Sequence, residues 1–265
     1  MFVISGLEKG FAGLPVLDRI DLEFGEDDIL ALAGPSGCGK TTLLDLIGGL
    51  LAPDAGRIEL GGVRIGRVFQ EDRLLPWLTL EENVAAAGGA GGRKAAADLI
   101  ARVGLAGFER SFPAALSGGM RQRAALARAL HFPCGLLLLD EPFKSLDPGL
   151  RGEMLDLLLA VRRERRLPAL FVTHDLDEAL AAATRLAILG PRPARVAGRF
   201  DLGEVDRRRP ADRRELAAVK REALELLGAP GGGTLPAGPR SNRAHLTFVI
   251  RILLVIAEWI PDKVV

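Results

Sequence analysis

The chain has 265 residues, 48% of them hydrophobic, which is enough for one large α/β domain with a subdomain or for two small domains. Its 35 Lys and Arg residues nearly balance 34 Asp and Glu residues, and the formal net charge of +1 gives no electrostatic case for nucleic acid as the main partner. The two cysteines, Cys38 and Cys134, show no metal-ligand spacing and favour a reducing, cytosolic setting over a disulfide.

The N-terminal part of the chain alternates short apolar runs with turn residues, which predicts several strands and one helix. The predicted strands are 2–7, 16–24, 29–33, 57–60 and 67–69. The helix is predicted over about 41–51, directly after a glycine-rich segment. A strand and a helix therefore flank this segment on its two sides.

The flanked segment, GPSGCGKTT at 34–42, fits the phosphate-binding pattern G-x-x-x-x-G-K-[ST] in the strand, loop and helix context that the pattern requires. Glycines let backbone N–H groups approach a phosphate, and the helix N-terminus adds a partial positive charge. Lys40 is suited to the β- and γ-phosphates of a nucleotide, and the Thr41 hydroxyl to Mg²⁺. A glycine turn that binds nothing is the alternative. The predicted phosphate-binding residues are Gly34, Pro35, Ser36, Gly37, Cys38, Gly39, Lys40, Thr41 and Thr42.

Beyond residue 70 the pattern changes from strands to helices, and then to an alternation of both. Residues 79–130, rich in Ala, Leu and Arg, predict helices interrupted by a glycine-rich loop at 88–92. Strands are predicted at 136–139, 169–173 and 185–189, and helices at 149–166, 176–183 and 204–227. This alternation predicts a parallel α/β sheet that includes the phosphate loop and is interrupted by a helical insert over about 71–130.

Two carboxylates follow the apolar run LLLL at 136–139. Because ligands bind at the carboxyl ends of parallel strands, Asp140 is suited to hold Mg²⁺ through its water shell. Glu141 is suited to accept a proton from a water that attacks a phosphate. A solvated strand end without a ligand is the alternative.

A second glycine-rich helix start, LSGGMRQR at 116–123, predicts another anion site. Together with the phosphate loop, Gln70 in VFQ, LLLLDEP at 136–142, SLD at 145–147 and His174 in FVTHD, it resembles the ATP-binding subunits of ABC transporters over about 2–227. The resemblance implies a P-loop NTPase fold with a mainly parallel core sheet, an N-terminal antiparallel β subdomain and an inserted α-helical subdomain. It also implies ATP and Mg²⁺ as ligands.

The resemblance further implies that two copies of the chain pair head to tail and enclose two ATP molecules. Glu141 would be the catalytic base, His174 would hold Glu141 and water in line with the γ-phosphate, and Gln70 would report the nucleotide state. Asp147 would link the two sites, and Phe11 would stack on adenine unless it is a core residue. The implied nucleotide contacts outside the phosphate loop are Phe11, Ser117, Gly118, Gly119, Gln122 and Asp147, and the implied Mg²⁺ ligands are Thr41, Gln70 and Asp140.

RLLPWLT at 73–79 and DEPFKSLD at 140–147 resemble the branch of importers for nitrate, sulfonates and taurine. This implies that a surface near Leu74, Leu75 and Trp77 binds membrane-spanning permease subunits, with Trp77 packed inside its own subdomain as the alternative. It also implies an external solute-binding protein that supplies a small oxyanion or organic sulfonate, and a position at the cytoplasmic face of the membrane.

The leading hypothesis is therefore the ATP-hydrolysing subunit of a bacterial importer, in which ATP-driven closure of the dimer energises uptake. An ATP-gated clamp on nucleic acid or ribosomes is a second hypothesis, which the balanced charge and the lack of a coiled coil or tandem ATPase unit disfavour. A nucleotide-binding regulatory module without catalysis is a third, which Glu141 and His174 disfavour.

The C-terminal residues match nothing in the family pattern. After an ATPase domain over 1–228, residues 229–243 predict a Gly/Pro linker and residues 244–265 an apolar tail. The tail is expected to dock on the membrane subunits, to pack as an edge element or to be a poorly ordered end. Its apolar run at 246–257 is too short to span a membrane and contains Arg251, and the N-terminus resembles no signal peptide.

Overall fold

The computed structural model describes residues 1–88, 90–203 and 210–228, with side chains in the last range from residue 214 onward. All of these residues lie in one compact unit, Met1–Gly231. The predicted linker 229–243, the apolar tail 244–265 and the first residues of the predicted helix 204–227 lie outside the described residues.

The described residues form nine strands and seven α-helices, in an order that begins with strands, continues through helices and ends in an alternation of both. The strands are β1 (Phe2–Phe11), β2 (Leu14–Phe24), β3 (Ile29–Ala33), β4 (Ala55–Glu59), β5 (Ile65–Val68), β6 (Leu136–Asp140), β7 (Ala169–Val172), β8 (Arg185–Leu189) and β9 (Val196–Asp201). The helices are α1 (Lys40–Ile47), α2 (Leu80–Ala85), α3 (Gly92–Arg102), α4 (Gly118–His131), α5 (Pro148–Arg165), α6 (Leu176–Ala182) and α7 (Pro210–Gly228).

The strands form two sheets, which confirms the predicted fold class. A three-stranded antiparallel sheet has the order β2-β1-β4, and a six-stranded sheet has the order β5-β6-β7-β3-β8-β9. In the larger sheet the first five strands are parallel, and β9 pairs antiparallel with β8 at the edge. The sequence did not predict β9, because only Phe200 of its residues is buried and no alternating pattern results.

The hydrophobic core lies on both faces of the six-stranded sheet. Successive side chains of a strand point to opposite faces, so Leu137 and Leu139 join one hydrophobic cluster while Leu136 and Leu138 join the other. A strand buried on both faces needs apolar side chains at every position, which explains the unbroken run of leucines in β6. This run ends at Asp140, so the first polar side chain of the strand lies at its carboxyl end.

Helices α2, α3 and α4 pack against one another as a helical subdomain, but residues 103–117, which the sequence placed in a helical stretch interrupted only at 88–92, are not α-helical. Helix α2 begins with a capping box, in which the Thr79 side chain accepts from the Glu82 N–H and the Glu82 carboxylate accepts from the Thr79 N–H. Residues 103–117 connect α3 to α4 through turns and one short 3-10 helix, since two glycines with positive φ and a proline interrupt the helical pattern.

Gly56 in β4 occupies a position at which the antiparallel sheet tolerates no side chain. Its φ is +83°, and a Cβ there would overlap the Gly6 carbonyl oxygen and lie 2.6 Å from the Ser5 carbonyl oxygen. We expect Gly56→Ala to lower the free energy of unfolding by about 3 kcal/mol or more, because backbone overlap adds to left-handed strain. Gly61→Ala is the control, since φ is +64° but no atom lies within 4 Å. Urea unfolding should show that Gly61→Ala lowers the free energy of unfolding by about 1–2 kcal/mol. An equal decrease in the two variants would contradict the close approach of β1 and β4.

Candidate functional site

The phosphate loop connects the end of β3 to the first residue of α1. Gly37 and Gly39 have φ angles of +75° and +115°, which residues with a side chain rarely adopt. A Cβ at Gly39 would also lie 2.9 Å from the side chains of Val16 and Leu17, so the loop backbone packs directly on β2. Helix α1 has no acidic residue in its first turn, which keeps its N-terminus favourable to an anion.

Lys40 folds back into the loop that precedes it. The residue is 8% exposed, and its Nζ donates to the carbonyl oxygens of Gly34 (2.8 Å) and Pro35 (2.9 Å). A buried ammonium group needs such partners, so the two carbonyl groups fix its position. The loop therefore holds a positive charge at the N-terminus of α1.

Asp140 and Thr41 form the oxygen-rich side of the site. Asp140 is 2% exposed, and the Thr41 hydroxyl lies beside its carboxyl group. Burial raises the pKa of the Asp140 carboxyl above its ordinary value, although the Thr41 hydroxyl acts in the opposite direction. A buried carboxylate beside a hydroxyl is a set of hard oxygen donors, the kind that Mg²⁺ prefers.

Glu141 has a φ of +45°, a left-handed conformation that costs a non-glycine residue about 1–3 kcal/mol. Its carboxylate lies between two nitrogen groups, with Oε1 3.2 Å from His174 Nδ1 and Oε2 3.1 Å from Lys144 Nζ. Oε2 is buried without a well-oriented hydrogen bond, so the Lys144 contact is electrostatic. Burial would raise the pKa of Glu141, but Lys144 and His174 outweigh burial and hold the pKa below its usual range. The carboxylate is therefore ionised at neutral pH.

The segment after β7, which carries the predicted histidine, is held by a network that no sequence motif reveals. Thr173 Oγ1 donates to Glu178 Oε2 at 2.7 Å. Arg151 Nη1 lies 3.0 Å from Asp175 Oδ2 and 3.1 Å from Glu178 Oε1. Arg151 also donates to the Leu146 carbonyl oxygen at 3.4 Å. Helix α5 thereby joins the loop before it to the histidine segment within one chain.

Residues 116–123, LSGGMRQR, are called the signature segment below, and they include the first turns of helix α4. Ser117 is exposed, and its Oγ accepts from the Met120 N–H at 3.3 Å as the N-cap. Gln122 is 7% exposed, and its amide bonds the backbone of Glu141 and Ser145. Within the described part of the chain, none of the hydrogen bonds of the signature segment reaches the phosphate loop. One chain thus assembles the loop, the two carboxylates and the histidine, and the signature segment contacts the backbone of Glu141 but not the phosphate loop.

Gln70 lines a cleft of about 460 Å³ between the segment after β5 and the start of α4. Arg121 Nε lies 2.9 Å from Asp72 Oδ2, and Arg128 donates to the carbonyl oxygens of Asp72 and Arg73. These contacts connect the segment that follows Gln70 to helix α4. Among the described residues, no hydrogen bond joins Gln70 to the predicted Mg²⁺ ligands.

Phe11 ends β1 and is 45% exposed, with Lys9 Nζ 5.5 Å from the centroid of its ring. The alternative that Phe11 is a core residue is therefore wrong, while stacking on adenine stays a prediction. Asp147 is the N-cap of α5, where its carboxylate accepts from the Leu150 N–H at 3.0 Å. Its side chain is exposed at the start of the helix.

The predicted docking segment divides into buried and exposed residues. Trp77 is 69% exposed and Leu75 is 37% exposed, so the alternative that Trp77 packs inside its own subdomain is wrong. Leu74 is 8% exposed and belongs to the core cluster, so its side chain anchors the docking segment to the hydrophobic core. No helix within residues 1–88, 90–203 and 210–228 is long and apolar enough to cross a membrane.

Comparison with known proteins identifies the class to which this site belongs. The family model for ABC transporters matches residues 17–144. The dimeric structure of MJ0796, a bacterial ABC transporter cassette, superposes with a TM-score of 0.70 at 28% identity, over 76% of this chain and 98% of that one. A post-hydrolysis dimer of the same cassette with ADP and Pi gives a TM-score of 0.68 over the same shares.

Curated relatives agree with the solved structures. The aliphatic sulfonates import ATP-binding protein SsuB 2 of Pseudomonas syringae pv. tomato is 44% identical over 83% of this chain and 94% of the relative. The taurine import ATP-binding protein TauB of Yersinia pestis bv. Antiqua is 42% identical over 76% of this chain and 84% of the relative. The chain belongs to the ABC transporter family, as the ATP-binding subunit of an importer. It is an ATPase that works as a dimer with membrane permeases, so the hypothesis of a non-catalytic module is wrong and the clamp hypothesis is disfavoured.

Proposed function

We propose that this chain energises the uptake of aliphatic sulfonates, including taurine, at the cytoplasmic face of the cell membrane. The likeness to the sulfonate and taurine import proteins, over 83% and 76% of this chain, supports this substrate class. The permease subunits and an external solute-binding protein would select the solute. The chain itself would supply the ATP-driven closure and reopening of two copies.

Mg²⁺ fits the oxygen donors beside the phosphate loop. Asp140 is buried and its carboxylate contacts the Thr41 hydroxyl, so a cation there would offset the burial of its charge. Among the described residues no cluster of three His, Cys, Asp or Glu side chains could hold a metal alone, and Mg²⁺ usually adds waters and substrate phosphates to one or two carboxylates. Asp140, Thr41 and Gln70 would hold the ion, which when bound neutralises charge on the β- and γ-phosphates.

Glu141 would act as the general base in hydrolysis. Its side chain is 15% exposed, is ionised at neutral pH and is oriented by His174 Nδ1 at 3.2 Å. A water beside this carboxylate would give its proton to Glu141 as its oxygen bonds to the γ-phosphorus. The bond from the γ-phosphorus to the bridging oxygen breaks in the same step, its electron pair stays on ADP, and inorganic phosphate leaves once Glu141 has passed the proton on.

The start of helix α4 would complete the site of a second copy. Ser117 is exposed at a helix N-terminus, where backbone N–H groups and the helix dipole favour a phosphate. Head-to-tail pairing about a two-fold axis would place Ser117, Gly118 and Gly119 of one copy against ATP held by Lys40 of the other. Asp147, exposed at the start of α5, would link the two sites.

The loop that carries Trp77 would bind a cytoplasmic helix of the permease. The buried amide of Asn83 holds this loop, accepting from the Leu75 N–H (2.7 Å) and donating to the Leu75 and Leu78 carbonyl oxygens (3.1 Å each). Trp77 meanwhile remains exposed. An exposed aromatic ring on a firmly held loop is the kind of residue that dominates binding energy at protein interfaces.

A groove between the core and helical subdomains offers additional surface for the same helix. Its volume is about 400 Å³, and its apolar lining includes Leu50 after α1, Phe69 after β5 and Phe132 after α4. Leu50 is 57% exposed. Since both subdomains contribute to the groove, a helix bound there would follow their relative movement.

We expect Trp77→Ala to weaken assembly with the permease subunits about 30-fold or more, because truncation of an aromatic anchor costs roughly 2 kcal/mol or more. The measurement is the fraction of permease retained by the tagged chain during dilution of the detergent-solubilised complex. Leu14→Ala, which removes a side chain 66% exposed on β2, is the control and should leave retention unchanged. Equal retention by the two variants would place the docking surface elsewhere.

The substrate class is tested by uptake of labelled ethanesulfonate, taurine and nitrate into host cells that lack this chain. We expect deletion to stop uptake of the two sulfonates, and the wild-type chain but not Glu141→Gln to restore it. Loss of nitrate uptake alone would move the assignment to inorganic oxyanions. Unchanged uptake of all three solutes would contradict the proposed substrate class.

A further inference from the structure

Gln122 connects the start of helix α4 to the segment that carries the proposed base. Its Nε2 donates to the Glu141 carbonyl oxygen at 3.1 Å, and its Oε1 accepts from the Ser145 N–H at 2.9 Å. The residue is 7% exposed, so both bonds are shielded from water. The oxygen and the nitrogen of the Gln122 amide therefore both form hydrogen bonds with the backbone of residues 141–145.

The Glu141 peptide is a position at which such a bond has a large effect. Glu141 has a φ of +45°, and a non-glycine residue persists in that conformation only where its surroundings hold it. Its N–H donates to the Val172 carbonyl oxygen at 2.9 Å, and Gln122 holds the carbonyl oxygen of the same residue. The backbone that sets the direction of the carboxylate is thus held from β7 on one side and from α4 on the other.

We propose that Gln122 is a positioning residue for hydrolysis, whose amide holds the left-handed Glu141 peptide and thereby aims the carboxylate at the attacking water. This inference rests on the proposed role of Glu141 as the base. Gln122 follows Ser117 in the first turns of the same helix. This helix start would bind the partner's ATP, and Gln122 connects it by a hydrogen bond to the base of the chain's own site. The sequence predicts that Gln122 contacts the nucleotide. Its burial and its two hydrogen bonds to the backbone favour the role of a positioning residue instead.

A double-mutant cycle on the full chain with saturating ATP and Mg²⁺ tests this role. Gln122→Met keeps the length of the side chain but removes both hydrogen bonds, so kcat should fall about tenfold or more while KM for ATP changes less than about threefold. In the Glu141→Gln background there is no base to aim, so the same change should alter the residual single-turnover rate less than about twofold.

Thr184→Val is the control, because it removes the side-chain hydrogen bonds that Thr184 makes with the Ile29 N–H and with Asp28, at the end of β3 away from the phosphate loop. Its basal kcat in the isolated chain should stay within about twofold of the wild type. Gln122→Glu distinguishes the effect of the hydrogen bond to Glu141 from that of the hydrogen bond to Ser145. The same variant tests the proposal if Gln122→Met does not fold. It keeps the acceptor for Ser145 but sets a carboxylate against the Glu141 carbonyl oxygen, so kcat should again fall about tenfold.

Three results would overturn the positioning role of Gln122. They are a normal kcat in the Gln122 variants, an equal loss of rate with and without Glu141, and a raised KM with unchanged kcat, which would instead indicate a nucleotide contact. Normal hydrolysis by Glu141→Gln alone would show a different failure. It would overturn the assignment of the base, and the proposed role of Gln122 with it.

Discussion

Glu141→Gln should lower the kcat of ATP hydrolysis by about 10²–10⁴-fold while ATP binding persists. Glutamine keeps the size of the side chain and can still contact His174, but it cannot take a proton from water. The change also removes the negative charge that faces Lys144 Nζ at 3.1 Å. Because bound ATP is not consumed, the variant should accumulate as an ATP-bound dimer.

Single-turnover and steady-state ATPase assays measure this loss, and size-exclusion chromatography with and without ATP measures dimer formation. Glu153→Gln is the control, since Glu153 is an exposed glutamate on α5, and it should keep wild-type activity. Near-normal hydrolysis by Glu141→Gln would show that another group accepts the proton.

Lys40→Met should weaken ATP binding about 100-fold or more, which corresponds to roughly 3 kcal/mol. Lys40 Nζ is fixed by the carbonyl oxygens of Gly34 and Pro35, so its charge is already in place before a phosphate arrives. Methionine approximates the volume of the aliphatic stem but supplies neither the charge nor the donors.

Titration with a fluorescent ATP analogue measures this affinity. Lys94→Met, at an exposed position on α3, removes one positive charge from the helical subdomain and should leave the dissociation constant unchanged. A similar weakening in both variants would mean that the net charge of the chain, rather than the ammonium group in the loop, attracts the nucleotide.

The core sheet could be predicted because its central strands contain unbroken apolar runs. The leucines of 136–139 indicate burial on both faces, and the structure divides them between the two clusters. Strand β9 was not predicted because it forms by pairing with β8, and its own residues show no alternating apolar pattern. The connection 103–117 was wrongly included in a helical stretch because Ala, Leu and Arg dominate the residues on either side of it.

The site could be predicted where its residues form short contiguous motifs. Arg151 and Glu178 escaped prediction because they act through contacts between segments that are distant in sequence. Leu74 was assigned to a surface from a motif, but a motif does not fix the direction of a side chain, and Leu74 packs in the core. The backbone bonds of Gln122 likewise depend on how α4 lies against the strand end at Glu141.

The importer assignment as a whole is tested by purifying tagged Glu141→Gln chain, with ATP and Mg²⁺, from detergent-solubilised membranes of its own host. We expect recovery of a multi-span membrane protein together with two copies of the chain. Adding Trp77→Ala should reduce that recovery, and adding Leu14→Ala should not. Recovery of the chain as a dimer without a membrane protein, or together with nucleic acid or ribosomes, would contradict the importer assignment and favour the clamp.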